Sequence, residues 1–286
     1  MENRVKDKAM LARLRVSSWS GEKLDKRVTT DILVREAAGN KVGRFTKQLL
    51  PGDALKPVSK AVNLLREVHK QQTLPYDDTH WRVLPTSNYV EYMAAINKHV
   101  SHLSASVEGL IQSYEFYKEQ ARAQLNGMFN EADYPTPEEI RERFKADFEP
   151  RSMPDAGNFM VDLADDTMAE LSEDMEKRTK QRLGDAQGDL WRRLLEITSH
   201  FATVMSDNKK VFRDTTVSNV EEIVNLVPRL NLSDDPALDA LADEIKNSLC
   251  GFDPTVLREG GAVRDDAAAK GKEAVDKITA LMQGAY

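Results

Sequence analysis

A chain of 286 residues is long enough for a sizeable core, and 30% charged side chains with a mean hydropathy of -0.53 suit solvent-exposed helices better than a β-sandwich. It has no apolar run of membrane-spanning length, no signal-peptide-like start, and a single cysteine, Cys250, so a transmembrane protein, an internal disulfide and a cysteine-built zinc site are excluded and a cytoplasmic protein is expected. The net charge of -7 is uneven: residues 1–60 hold 14 Lys and Arg against 7 Asp and Glu, whereas the other 226 hold 26 against 40.

In chain order, the partial alternation of Leu14, Val16 and Ser18 predicts a short strand over 11–19, ending at Ser20-Gly21. A helix is expected over 22–38, stopped by Gly39-Asn40, then an extended segment over 41–50 and a turn at Pro51-Gly52-Asp53. Val58, Val62, Leu65 and Val68 or His69 mark one face of a helix over 56–71. Next, Pro75 and Pro85 bracket a loop over 73–85 that carries Tyr76, Asp77, Asp78, His80, Trp81 and Arg82. It reads either as a binding loop or as a packed connector, with Trp81 in the core and Arg82 paired to Asp77 or Asp78.

Ser87 is placed to cap a long helix whose stripe runs through Tyr92, Ile96, Val100, Leu103, Val107, Leu110, Tyr114 and Tyr117 to about residue 126, with Gly109 as its weak point. Thr136-Pro137-Glu138-Glu139 has the residues of a capping box and predicts a helix to about Phe148. Residues 151–160 read as a connector. A second long helical region is expected over 161–206; its polar middle, Glu176 to Gly188, either crosses solvent or breaks the helix. Shorter helices are expected over 215–227, 235–249 and 262–283.

The expected fold is mainly α: an elongated bundle of long antiparallel helices, 88–126 against 161–206, with a small N-terminal α/β head. The expected divisions are a basic head over 1–55, a long-helix bundle over 56–210 and a helical segment over 211–286.

The chain lacks the glycine-rich patterns that cradle nucleotides and the signatures of hydrolases, zinc proteases and kinases. His99 and His102 share a helical face, but no carboxylate accompanies them in a recognised ligand pattern. Asp77, Asp78 and His80 have acid-base side chains with no motif around them. No catalytic residue, cofactor or metal is expected.

Several short motifs together resemble an uncharacterised family of helical proteins of bacteriophages and mobile elements. They are Leu14-x-Val16 followed by Trp19-Ser20-Gly21, then Gly43-Arg44-Phe45, Thr73-Leu74-Pro75-Tyr76-x-Asp78, Arg82-Val83-Leu84-Pro85 and Asp133-Tyr134-Pro135. The Trp-Ser-Gly opening resembles domains of unknown function encoded beside MoxR-type AAA+ ATPases. The resemblance covers roughly residues 11–150. It departs at Tyr76, where tryptophan is expected, and at His80, where glycine is expected. It implies a partner-dependent phage protein of the host cytoplasm rather than a reaction.

Three functions follow as expectations. The first is a non-enzymatic interaction protein that binds copies of itself (a homo-oligomer) or a protein partner such as an AAA+ ATPase. The second is a single-stranded nucleic-acid-binding protein, using the basic head with Trp19, Phe45, Tyr76 and Trp81 as stacking platforms. The third is a virion component. The candidate binding residues are Trp19, Arg44, Phe45, Lys47, Tyr76, Asp77, His80, Trp81 and Arg82.

Overall fold

The computed structural model describes residues 7–39, 41–155, 165–207, 210 and 212–284. The protein is mainly helical, with a small sheet region that starts near the N-terminus. Strands β1 (Ala9–Val16), β4 (Leu74–Pro75), β5 (Arg82–Pro85) and β6 (Ala146–Ser152) form one sheet in the order β4-β5-β1-β6, and β2 (Glu22–Leu24) pairs with β3 (Thr46–Gln48) in another. In the antiparallel register, Ala9 faces Pro85, Ala12 faces Arg82, and Leu74 faces Val83. Two compact units follow, neither contiguous in sequence: Met1–Arg13, Lys70–Glu91 and Pro150–Tyr286 in the first, Leu14–His69 and Tyr92–Glu149 in the second. They do not coincide with the divisions expected at residues 55 and 210.

The first unit is built on helix α6 (Asp165–Ser206), with α7 (Thr215–Leu230), α8 (Pro236–Leu249), α9 (Pro254–Glu259) and α10 (Ala262–Gly284). Leu190, Leu194 and Phe201 of α6 share one core with Val220, Val227, Leu238, Ile245 and Ile278, and with Leu74, Trp81 and Val83 of the β4–β5 hairpin. Of the two outcomes expected for the polar middle of α6, a solvent crossing or a break, the break does not occur; the helix is continuous through Gly184 and Gly188. Residues 156–164, which include the start expected at 161, lie outside the described residues. Helix α6 packs on α10 and α7 within its own unit, and the 88–126 stretch lies from Tyr92 onward in the other unit; the antiparallel pairing expected of the two long stretches is not shown.

Helix α10 runs antiparallel to α6, since Arg264 reaches the end of α6 while Gly271 lies against Ala202. A Cβ on Gly271 would approach the Ala202 backbone to 3.1 Å, which explains a glycine inside that helix. Arg264 is buried and caps α6 from outside. Its Nε donates to Met205 O at 3.1 Å and its Nη2 to Val204 O at 2.7 Å and Asp207 O at 3.1 Å. These carbonyls lie at the C-terminal, electronegative end of the helix, where a cation is favoured. Arg264→Met is expected to lower stability by about 2–3 kcal/mol, because buried acceptors lose a charged donor. Thermal melting should show that loss, with Arg264→Lys recovering only part of it, since lysine lacks the planar fork.

The second unit holds β2, β3, α1 (Lys26–Arg35), α2 (Lys56–Gln71), most of α3 (Tyr89–Gln112), α4 (Tyr114–Leu125) and α5 (Pro137–Arg143). Helix α2 has the expected bounds and buries Val58, Val62, Leu65 and His69. His69 Nδ1 and the Tyr92 hydroxyl share a buried hydrogen bond of 2.9 Å. The long stripe is interrupted at Ser113 (φ -99°, ψ 3°) rather than at Gly109, so α3 and α4 are successive helices. Ser87 does not open α3 directly; a 3-10 turn over Thr86–Asn88 precedes it, and the Ser87 hydroxyl donates to Arg229 O.

Three further expectations are corrected. The 22–38 helix is strand β2 followed by the shorter α1, because the Asp25 carboxylate accepts from Val28 N and starts the helix there. Within 41–50 only Thr46–Gln48 is a strand. The helix from Thr136 ends at Arg143, and the residues expected to complete it begin strand β6.

Candidate functional site

Residues 17–21 leave β1 and turn sharply at Gly21, whose φ of +69° favours glycine. The Gly21 carbonyl accepts from Leu49 N at 2.7 Å, and a Cβ here would stand 2.7 Å from Leu55 Cδ1. This close approach brings Trp19-Ser20-Gly21 against the Leu50-Pro51-Gly52 turn and the start of α2. Between them lies an open groove of about 770 Å³. Trp19, Leu50, Pro51, Leu55 and Leu64 give it an apolar lining, and Ser20, Gln48, Lys56, Ser59, Lys60, Asn63 and Glu67 supply its polar groups. Trp19 is buried, with the Arg143 guanidinium 5.3 Å from its ring centroid. Leu64 is 39% exposed. It lies off the α2 stripe that faces the core, a signal that could have pointed to this wall.

On the other side of Trp19 a smaller cleft of about 310 Å³ is lined by Lys23, Asp133, Tyr134, Glu139 and Arg143. Beside it is a buried ion cluster. Lys47 Nζ lies 2.6 Å from Asp133 Oδ2 and 3.5 Å from Asp25 Oδ2, and donates to Met128 O at 2.7 Å. Lys23 Nζ reaches Asp133 Oδ1 at 2.7 Å. Burial pushes the Asp133 carboxyl up, but hydrogen bonds and charge from Lys23 and Lys47 outweigh it and hold the group below its ordinary range. Asp25 is also lowered, first by its hydrogen bond from Val28 N.

The basic head is therefore partly neutralised within its own unit. Lys23 and Lys47 meet Asp133, and Arg15 meets Asp147 at 2.9 Å and Glu149 at 3.2 Å. Lys47, one of the candidate binding residues, is held in this cluster with its side chain only 5% exposed. Arg44 is exposed. Phe45 is half-buried, its N–H donating to Thr29 Oγ1 and its carbonyl accepting from Asp25 N.

The remaining candidates belong to the first unit, in the β4–β5 hairpin. Asp77 closes the turn as an Asx motif, accepting from Thr79 N at 2.9 Å, Thr79 Oγ1 at 2.8 Å and Trp81 N at 3.3 Å. His80 is exposed, with a φ of +69°. Trp81 is buried, with the guanidinium carbons of Arg13 and Arg151 at 4.6 and 4.3 Å from its ring centroid. Tyr76 is buried with Arg182 4.9 Å from its ring centroid. Arg82 donates to Thr73 Oγ1 at 2.6 Å, Lys70 O at 3.1 Å and Thr73 O at 3.0 Å. The loop is thus a folded hairpin bound to the core through Trp81.

The motifs over 14–21, 43–45 and 133–135 meet in the second unit, and those over 73–78 and 82–85 form the hairpin of the first. Sequence reasoning missed Asp133 as the counter-charge of Lys47, because no spacing rule links residues so far apart. Among the described residues no group of three or more His, Cys, Asp or Glu is placed to hold a metal ion. His99 lies on α3 with its pKa lowered, chiefly by burial and then by Lys98 and His102. The Cys250 thiol is pushed up to about 11 by burial. No helix among the described residues is long and apolar enough to cross a membrane. Comparison of the chain with family models, curated proteins and solved structures gives no match.

Proposed function

We propose that this is a non-enzymatic binding protein whose groove beside Trp19-Ser20-Gly21 receives a segment of a protein partner. The observation that carries the reading is the groove itself. It sets an apolar wall of Trp19, Leu50, Leu55 and Leu64 among polar side chains from Gln48 and α2, the mixed character of a protein-recognition surface. A phage accessory protein that engages an AAA+ ATPase is the biological setting we propose for this surface, with a virion component as a further setting of the same kind.

Single-stranded DNA binding is the alternative, and exposed Lys26, Lys41 and Arg44 favour it. Against it stand the ion pairs that already occupy Arg15, Lys23 and Lys47, and the 40 acidic groups outside the head, which repel polyanions.

A photo-cross-linking residue at Asn63, introduced in the cell where the protein functions, is expected to give a discrete protein adduct that Leu64→Asp abolishes. Adducts unchanged by Leu64→Asp would remove the groove from the mechanism. Tight, steeply salt-dependent binding of single-stranded DNA by the purified chain would replace this function with the alternative.

A further inference from the structure

Helix α1 buries none of its residues, which is unusual for an amphipathic helix in a packed unit. Around it, Leu24, Ile32, Val34 and Val42 are exposed, Val34 and Val42 by more than 70%. A groove of about 400 Å³ opens there, with Leu24, Leu33, Val34 and Ala37 as apolar walls and Lys26 and Arg44 at its edge. This surface is apolar and positively rimmed.

The first unit carries the opposite surface. Residues 166–178 of α6 bury no side chain. Met168, Leu171 and Met175 recur at helical spacing along one face, and Leu171 is 40% exposed. Residues 165–176 contain six acidic side chains and no basic one, and Lys177 and Arg178 follow, Arg178 pairing with Asp174 at 2.7 Å. Helix α10 does not reach this stretch. From its contact at Ala202 it runs antiparallel for 13 residues, Gly271 to Gly284, about 20 Å, which covers α6 back only to about residue 189.

We propose that the acidic, methionine-lined start of α6 in one copy docks in the basic apolar groove beside α1 of a second copy. Leu171 and its methionine neighbours enter the groove, methionine being suited to irregular apolar walls. Asp174 and Glu176 approach Lys26 and Arg44. Because the two surfaces differ, the contact is made either twice, reciprocally in a two-fold pair, or head-to-tail in a ring or filament. The charge complementarity makes assembly sensitive to salt. This inference rests on the reading of the chain as a binding protein but uses another surface, so it and the Asn63 cross-link succeed or fail separately.

The test is sedimentation velocity on the full chain over a wide concentration range, at low and high salt. Wild type is expected to associate with rising concentration, less so in high salt. The double variants Lys26→Glu/Arg44→Glu and Asp174→Lys/Glu176→Lys, all at exposed positions, are each expected to lose about tenfold or more in association. Mixing the two variants restores association, since each retains one native surface and their reversed surfaces complement one another. A wild type that stays monomeric throughout, variants that associate as wild type does, or a mixture that stays monomeric would each overturn the proposal.

Discussion

Trp81→Ala is expected to lower stability by about 3–5 kcal/mol, the range for large aromatic-to-alanine changes in a packed core. The indole is 6% exposed and shares a core with Leu74, Tyr76 and Val83. Its removal leaves a cavity beneath the β4–β5 turn and takes away the ring against which the Arg13 and Arg151 guanidinium groups stand. Urea denaturation should show the midpoint falling, and Trp81→Phe should recover much of the loss. A variant that unfolds like wild type yet loses a partner would make the hairpin a binding loop instead of a core element.

Lys47→Met is the second large effect, expected to cost about 2–4 kcal/mol at neutral pH, because it leaves a buried carboxylate with one of its two cations. Asp133 keeps Lys23 at 2.7 Å but loses Lys47 at 2.6 Å. In wild type the folded pKa of Asp133 lies below its ordinary 3.8. A depressed carboxylate contributes stability that is complete above the unfolded value and is lost as pH falls through the folded one. In the variant that pKa rises, so the cost of Lys47→Met should shrink as pH falls to about 4 and below, where Asp133 takes up a proton. Urea unfolding of both proteins at neutral and acid pH measures this. An equal gap at both values would show that lost packing, not the unpaired charge, sets the cost. Lys47→Met/Asp133→Leu should regain much of the stability, since an apolar pair of similar size removes the buried charge altogether.

What the sequence made legible was local. Helix α2 has its expected bounds because one unbroken stripe from Val58 to His69 sets its face. The Thr136 box forms both of its hydrogen bonds, Glu139 N to Thr136 Oγ1 and Thr136 N to Glu139 Oε2. The failures were non-local. Residues 146–148 joined a strand because β1 offers a neighbouring edge, which no helical periodicity can reveal. The basic character of residues 1–60 suggested an external polyanion, whereas Asp133, Asp147 and Glu149 answer Arg15, Lys23 and Lys47 from within the same unit. The candidate site was half legible: Trp19 and Gly21 stood out, but the opposite wall from Leu50 to Leu64 looked like ordinary turn and helix.

The discontinuity of the two units sets an order for synthesis. The chain passes from one unit to the other at residues 13/14, 69/70, 91/92 and 149/150. All of the second unit has been translated by Glu149, and it can close while the ribosome is still extending the chain. The first unit cannot. Leu11, Leu74, Trp81 and Val83 emerge early, yet the helices that bury them arrive only with the last 137 residues. A nascent chain therefore carries an uncovered apolar hairpin for much of its synthesis, and that interval is when a holding chaperone would matter most to its yield.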